Sequence, residues 1–232
     1  MSEKQKILII ASHPDDEVLG CGGSMAKWCR DGYEVHVLIM AEGATSRDKT
    51  RNRNAWEKEL YNLAQSAKMA GKILGVESVE LLDYPDNRMD SVDLLDVVKS
   101  IEEHIAKRKP EMVVTHHSGD LNIDHQIIHQ SVMVACRPQP GYSVKRILSF
   151  EVPSSTEWQS PTTNKAFLPN WFEDISETLE LKIKALKAYE SEIRIWPHPR
   201  SIQAVDNLVR WRGASVGCEA AEAFMLIRLI NN

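Results

Sequence analysis

Ile7-Leu8-Ile9-Ile10-Ala11-Ser12-His13-Pro14-Asp15-Asp16-Glu17 is an aliphatic run that stops abruptly in an imidazole, a proline and three carboxylates. A short aliphatic run bounded by turn residues reads as a buried parallel strand. A helical pattern follows, opening at Val18-Leu19 and running to about Arg30. The polar cluster therefore stands at the carboxyl end of a strand and the amino end of a helix, which in open α/β sheets is where ligands bind. Gly20, Gly22 and Gly23 suggest a dinucleotide turn, but they come about one helical turn too late, the full G-x-G-x-x-G spacing is missing, and acids stand where a phosphate would approach. Close packing of the helix on the sheet explains these glycines better.

The alternation continues outward. Residues 33–40, 79–82, 112–115 and 144–152 read as further strands and 223–229 as a closing one; helical patterns cover 54–74, 92–106, 124–135, 176–189 and 202–212. Strands alternating with helices imply right-handed crossovers and parallel pairing. The expected fold is one α/β domain over residues 1–232, a Rossmann-like three-layer sandwich around a mostly parallel sheet. Residues 153–170 are rich in Ser, Thr, Pro and aromatics without periodicity, and irregular segments of that length are often functional.

Apolar residues make up 43% and charged residues 26% of the 232, enough for a sizeable core, and the net charge of −5 argues against nucleic acid or an anionic membrane surface as partner. No apolar run approaches the roughly 18 residues of a membrane span. Residues 1–6 lead into the first strand without a signal-peptide core, and Cys21, Cys29, Cys136 and Cys218 form no C-x-x-C pair. A cytoplasmic protein with reduced thiols is expected.

The fourth strand ends in a second polar cluster, His116-His117-Ser118-Gly119-Asp120-Leu121-Asn122-Ile123-Asp124-His125. Strands one and four are natural neighbours across the switch point of a doubly wound sheet, which brings the clusters together. Two imidazoles and a carboxylate form a common zinc triad in hydrolytic enzymes, with positions left for water and substrate. His13, Asp16 and His125 offer that set. Asp15, beside these ligands, could take a water proton as general base, and Asp124 could orient His125 or accept a proton itself. Taken singly, each residue has a plainer reading: an aspartate at a helix start usually caps it, and a lone buried histidine usually belongs to the core. Their coincidence at two strand ends reverses those odds. Glu17 reads as an orienting or helix-dipole residue, His36 as structural, and His104 and His129 as surface or structural positions.

With these residues in hand, the chain resembles the LmbE/PIG-L family of zinc-dependent N-acyl-sugar deacetylases. Ala11-Ser12-His13-Pro14-Asp15-Asp16-Glu17 matches the family's first motif and Asn122-Ile123-Asp124-His125 the end of its second. His198-Pro199-Arg200-Ser201 and the tail from Arg212-Gly213 through Glu219 to Phe224 are similar to a bacterial branch. The resemblance implies that His13, Asp16 and His125 hold Zn2+, or another divalent transition metal such as Fe2+, and that Asp15 is the general base. It implies hydrolysis of an acetamide on an amino sugar or an N-acetylglucosamine-containing conjugate. The family's usual histidine three residues before the last ligand is Asn122 here, and an amide cannot serve as a general acid. The expected replacement is His198, with His117 second. Arg88, Asp120, Asn122, His117 and Arg200 are the expected substrate contacts, although Arg88, Asp120 and Arg200 read equally well as ion-pair partners. Trp158 and Trp171 either face a sugar ring or pack the long loop.

The expected protein is thus a hydrolase acting on a small amino-sugar or glycoconjugate substrate, with no nucleic acid and no membrane span. The alternatives are a metal-dependent amidase or esterase on a non-sugar substrate, and a catalytically silent sugar-binding relative. Family members often self-associate, so a homo-oligomer is an open expectation, with residues 224–230 as core or interface.

Overall fold

In the computed structural model, which describes residues 4–160, 162 and 164–231, β1 (Lys6–Ala11) is an interior strand, third of the seven in the sheet. Side chains alternate across a strand, so Ile7 and Ile9 enter the core on one face and Leu8 and Ile10 the core on the other. Chain order then runs α1 (Asp16–Arg30), β2 (Glu34–Ala41), α2 (Glu57–Leu74), β3 (Ser78–Tyr84), α3 (Leu94–Arg108), β4 (Met112–His116), α4 (Ile123–Ala135), β5 (Arg146–Phe150), β6 (Trp171–Asp174), α5 (Leu179–Lys187), α6 (Ile202–Ala214) and β7 (Ala221–Leu229). The sheet order is β3-β2-β1-β4-β5-β7-β6. The first five strands in that order are parallel, while β7 pairs antiparallel with both β5 and β6. Helices α1, α2 and α5 pack on one face and α3 and α4 on the other, giving the three-layer α/β sandwich. The order reverses at β1 and β4, so their carboxyl ends flank the ligand crevice.

Two departures from the sequence pattern matter. β6 falls beside a segment read as irregular. Its four residues, Trp171-Phe172-Glu173-Asp174, carry little pattern of their own and are held by pairing with residues 221–224 of β7. Helix α1 begins at Asp16, not Val18, and breaks at Cys21, whose φ of −148° and ψ of 26° are not helical.

A buried ion pair holds that break. Lys182 Nζ donates to the carbonyls of Val18 at 2.8 Å and Leu19 at 2.7 Å and lies 2.5 Å from Glu222 Oε1. Glu222 in turn accepts from the amides of Gly23 at 3.0 Å and Ser24 at 2.7 Å. The free carbonyls of the first half of the helix and the free amides of the second are thus both satisfied, as helix termini require. A Cβ at Gly20 would collide with the Phe150 ring and one at Gly23 with Ile175, which accounts for the glycines by close packing.

Candidate metal centre and active site

The loop after β1 and the loop between β4 and α4 bring three donor atoms together. His13 Nδ1 lies 3.2 Å from Asp16 Oδ2, His125 Nε2 lies 3.2 Å from the same oxygen, and the two ring nitrogens are 3.4 Å apart. Zinc bonds of about 2.0–2.2 Å in a tetrahedron put neighbouring ligand atoms roughly 3.3–3.6 Å apart, so the donor set fits that ion in chemistry and size. The surrounding charge fits as well. Burial would lower the His125 pKa, yet the charges of Asp16 and Asp120 push it up to about 9. Burial opposes ionisation of Asp16 too, but the charge and hydrogen bond of His125, then the bond from His13, hold it well below the usual carboxylate range. The site therefore calls for positive charge between these three side chains.

Each imidazole has its second nitrogen on a carboxylate, an arrangement that fixes ring orientation in metal sites. His13 Nε2 is 3.0 Å from Asp124 Oδ2, and His125 Nδ1 is 3.1 Å from Asp120 Oδ1. The supports are crossed relative to expectation: Asp124, next to His125 in sequence, orients His13. Asp124 is fully buried and also accepts from the amides of Asn87 at 2.7 Å and Met89 at 2.9 Å, so it is a positioning group with no open face for proton transfer.

Asp120 is equally buried and holds the Ser155 hydroxyl, Thr156 Oγ1 at 2.6 Å and the Asn122 amide at 2.8 Å. Against the effect of burial, the charge and contact of His125 and these hydroxyls pull its pKa down to about 2. A substrate hydroxyl cannot reach it, which corrects its expected role.

Asp15 adopts φ 110° and ψ −29°, a left-handed conformation that a non-glycine residue holds only when its surroundings impose it. Its carbonyl accepts from the amides of Val18 at 3.0 Å and Leu19 at 2.9 Å, and its own amide donates to Glu17 Oε2 at 3.1 Å. Its carboxylate lies in the cavity wall beside the donor set and accepts from Arg200 Nη1 at 3.2 Å. Burial and the neighbouring Asp16 raise its pKa well above the ordinary range, against the pull of Arg200. Glu17 points away and accepts from the Tyr189 hydroxyl at 2.6 Å.

His13, Asp15, Asp16 and His125 line a cavity of about 220 Å³. Arg200 and Asn122 are in its wall; Asn122 also caps α4 by accepting from the Asp124 amide at 2.9 Å and donates to Asn87 Oδ1 at 2.7 Å. The expected contacts Arg88 and His117, like Asp120, and the expected general acid His198 are not in the wall. Arg88 donates to the carbonyls of Asp48 at 3.0 Å and Lys49 at 2.9 Å, tying down the loop after β2. His117 is buried with Nε2 on the Lys165 carbonyl at 3.0 Å. His198 accepts from the Arg200 amide at 3.0 Å and sits edge-on to Trp158, so it is Arg200, two residues on, that enters the cavity from this segment. Trp158 is exposed, and Trp171 packs as part of β6.

Asp86 escaped the sequence reading. It is buried 3.4 Å from His13 Nε2 and accepts from the Ser46 amide at 3.1 Å. Its one sequence signal was its place just beyond the carboxyl end of β3. His116, to which the sequence assigns no role, accepts from the Ser12 amide at 2.8 Å and stacks on His125 with ring centroids 3.9 Å apart, locking the two clusters together.

Comparison with known proteins identifies relatives of this chain. Residues 8–136, which contain both clusters, match the family described as PIG-L, GlcNAc-PI de-N-acetylase. The chain is 31% identical over 196 residues to a protein of Escherichia coli (strain K12) described as uncharacterized deacetylase YaiS, covering 82% of this chain and 93% of that one. It is 26% identical over 220 residues to the diacetylchitobiose deacetylase of Thermococcus kodakarensis, covering 87% of this chain and 77% of the relative. The fold is shared with the N,N'-diacetylchitobiose deacetylase of Pyrococcus horikoshii, with a TM-score of 0.77 at 20% identity over 97% of this chain and 85% of that one. The chain belongs to the PIG-L family of GlcNAc-PI de-N-acetylases.

Proposed function

We propose that this protein hydrolyses the acetamide of an N-acetylated amino sugar, or of a conjugate containing N-acetylglucosamine, and that it does so with zinc held by His13, Asp16 and His125. The observation that carries the reading is the convergence of those three donor atoms, 3.2–3.4 Å apart, with Asp15 beside them in one cavity. The diacetylchitobiose deacetylase relative supports a sugar substrate. A zinc ion bound there would bring the pKa of a water ligand to about 7 and polarise the acetamide carbonyl.

The chain's own residues supply the proton handling. Asp15, beside the donor set in the cavity wall, accepts the proton of the attacking water. Arg200 steadies the carboxylate through its 3.2 Å contact. The leaving nitrogen must be protonated as acetate departs, and with His198 outside the cavity and Asn122 an amide, Asp15 returns the same proton. Asp124 and Asp120 keep His13 and His125 oriented.

The test is acetate release by zinc-loaded protein from a panel of N-acetyl sugars. Acetate and free amine in equal amounts are expected. Cleavage of simple amides or esters but of no sugar would replace this reading with a non-sugar hydrolase, and sugar binding without turnover would replace it with a silent binding protein.

A further inference from the structure

Asp15 presents its carboxylate from a backbone with φ 110°, a conformation that glycine adopts freely and other residues hold only under restraint. Glycine has no carboxylate, so the restraint must come from neighbours. The start of α1 supplies part of it, since the amides of Val18 and Leu19 take the Asp15 carbonyl. The amide side of Asp15 is held by Glu17, whose Oε2 accepts from it at 3.1 Å.

Glu17 is buried, and its other oxygen, Oε1, accepts from the Tyr189 hydroxyl at 2.6 Å. Tyr189 is fully buried in the apolar core beside Ala185 and Leu186. Packing there requires the ring but not the hydroxyl, and a buried carboxylate is costly unless it is paired. Neither residue lines the cavity, so neither can meet the substrate. What the pair does hold is the amide of the one residue in the wall that combines a left-handed backbone with a carboxylate.

The main chain of Tyr189 serves the other side of Asp15. Its carbonyl accepts from the amides of Glu192 at 2.9 Å and Ile193 at 3.3 Å, closing the turn after α5. Glu192 Oε2 lies 3.7 Å from Arg200 Nη1, which donates to Asp15 Oδ2 at 3.2 Å. One residue outside the cavity thus stands behind both the backbone and the carboxylate of Asp15.

We propose that Tyr189 is a positioning residue for the general base, its hydroxyl fixing Glu17 so that Glu17 holds the Asp15 amide and the carboxylate keeps the direction that proton transfer needs. The inference rests on the deacetylase reading, in which Asp15 is the base, and such transfer tolerates little displacement.

The test is Tyr189→Phe, which removes one oxygen and keeps the ring, in the zinc-loaded full chain. On the best N-acetyl sugar, kcat should fall about tenfold, the scale of a hydrogen bond to a charged group, while KM and bound zinc keep their wild-type values. Amide hydrogen exchange followed by NMR gives a readout apart from turnover. The Asp15 amide should exchange about tenfold faster or more, with the amides of Ile9 and Val114, in interior strands, unchanged. A residue that only stabilised the fold would leave kcat per zinc-loaded molecule unchanged, or would speed exchange at all three amides alike. Either result, or a loss of bound zinc, would overturn the inference and leave the deacetylase reading intact. If Tyr189→Phe does not fold, Glu17→Gln takes its place. Its neutral oxygen holds the Asp15 amide more weakly than a carboxylate does, so the same pattern with a smaller fall in kcat is expected, and an unchanged kcat overturns the inference. Should no N-acetyl sugar release acetate from wild type, the deacetylase reading fails and exchange alone decides: a faster Asp15 amide against unchanged sheet amides upholds the clamp, and equal rates overturn it.

Discussion

The metal-facing wall of the cavity and the rim formed by residues 188–201 are built in opposite ways. Behind the wall, Asp120 and Asp124 are fully buried, and each is fixed by backbone amides or hydroxyls and faces an imidazole. At the rim, Arg47 and Arg194 are about two-fifths exposed and share Glu192 with Arg200. A donor set needs fixed geometry, and buried, multiply bonded carboxylates supply it. The rim is held instead by long, half-solvated side chains whose ion pairs are individually weak. A rigidly held donor set and a loosely held rim thus border one cavity.

That division can be broken at several points. The largest effect is expected from Asp15→Asn, which should cut kcat by about 10²–10⁴ while metal content, measured by elemental analysis, stays at the wild-type level. A fall in metal content as well would mean that Asp15 belongs to the donor set. Next comes Lys182→Met, which leaves Glu222 buried without its partner. A loss of about 3–5 kcal/mol is expected, read as a lower midpoint in denaturant unfolding, with the ranking of sugar substrates unchanged. Asp124→Asn and Asp120→Asn should each weaken metal affinity by about 10–100-fold, read by competition with a chelator; an effect on turnover alone would give these carboxylates a direct part in the reaction. The smallest effect is expected from His198→Ala. With its ring against Trp158 and outside the wall, kcat should remain near wild type, and a large fall would place His198 in the chemistry after all.

The same contrast governs what could be read in advance. The parallel half of the sheet and the meeting of His13, Asp16 and His125 follow from strong local patterns, aliphatic runs that end in acids and imidazoles at a switch point. The support of His13 by Asp124 and of His125 by Asp120 depends on side-chain direction within two turns, and spacing does not encode it. Asp86 reaches His13 from beyond β3, two strands from β1, a contact set by tertiary packing. At the rim, His198 and Arg200 are two residues apart in a loop without periodicity, where nothing local says which one turns inward. β6 is illegible in the sequence for a related reason, being an edge strand of four residues defined by its partner.

The central claim, that His13, Asp16 and His125 hold a metal that Asp15 serves but does not bind, comes down to one paired measurement. Wild type, Asp15→Asn and His125→Ala, each loaded with zinc and freed of excess, are analysed for bound metal and for acetate release from the best N-acetyl sugar. The account predicts bound metal with turnover in wild type, bound metal without turnover in Asp15→Asn, and neither in His125→Ala. Full metal content in His125→Ala, or wild-type turnover in Asp15→Asn, would contradict it.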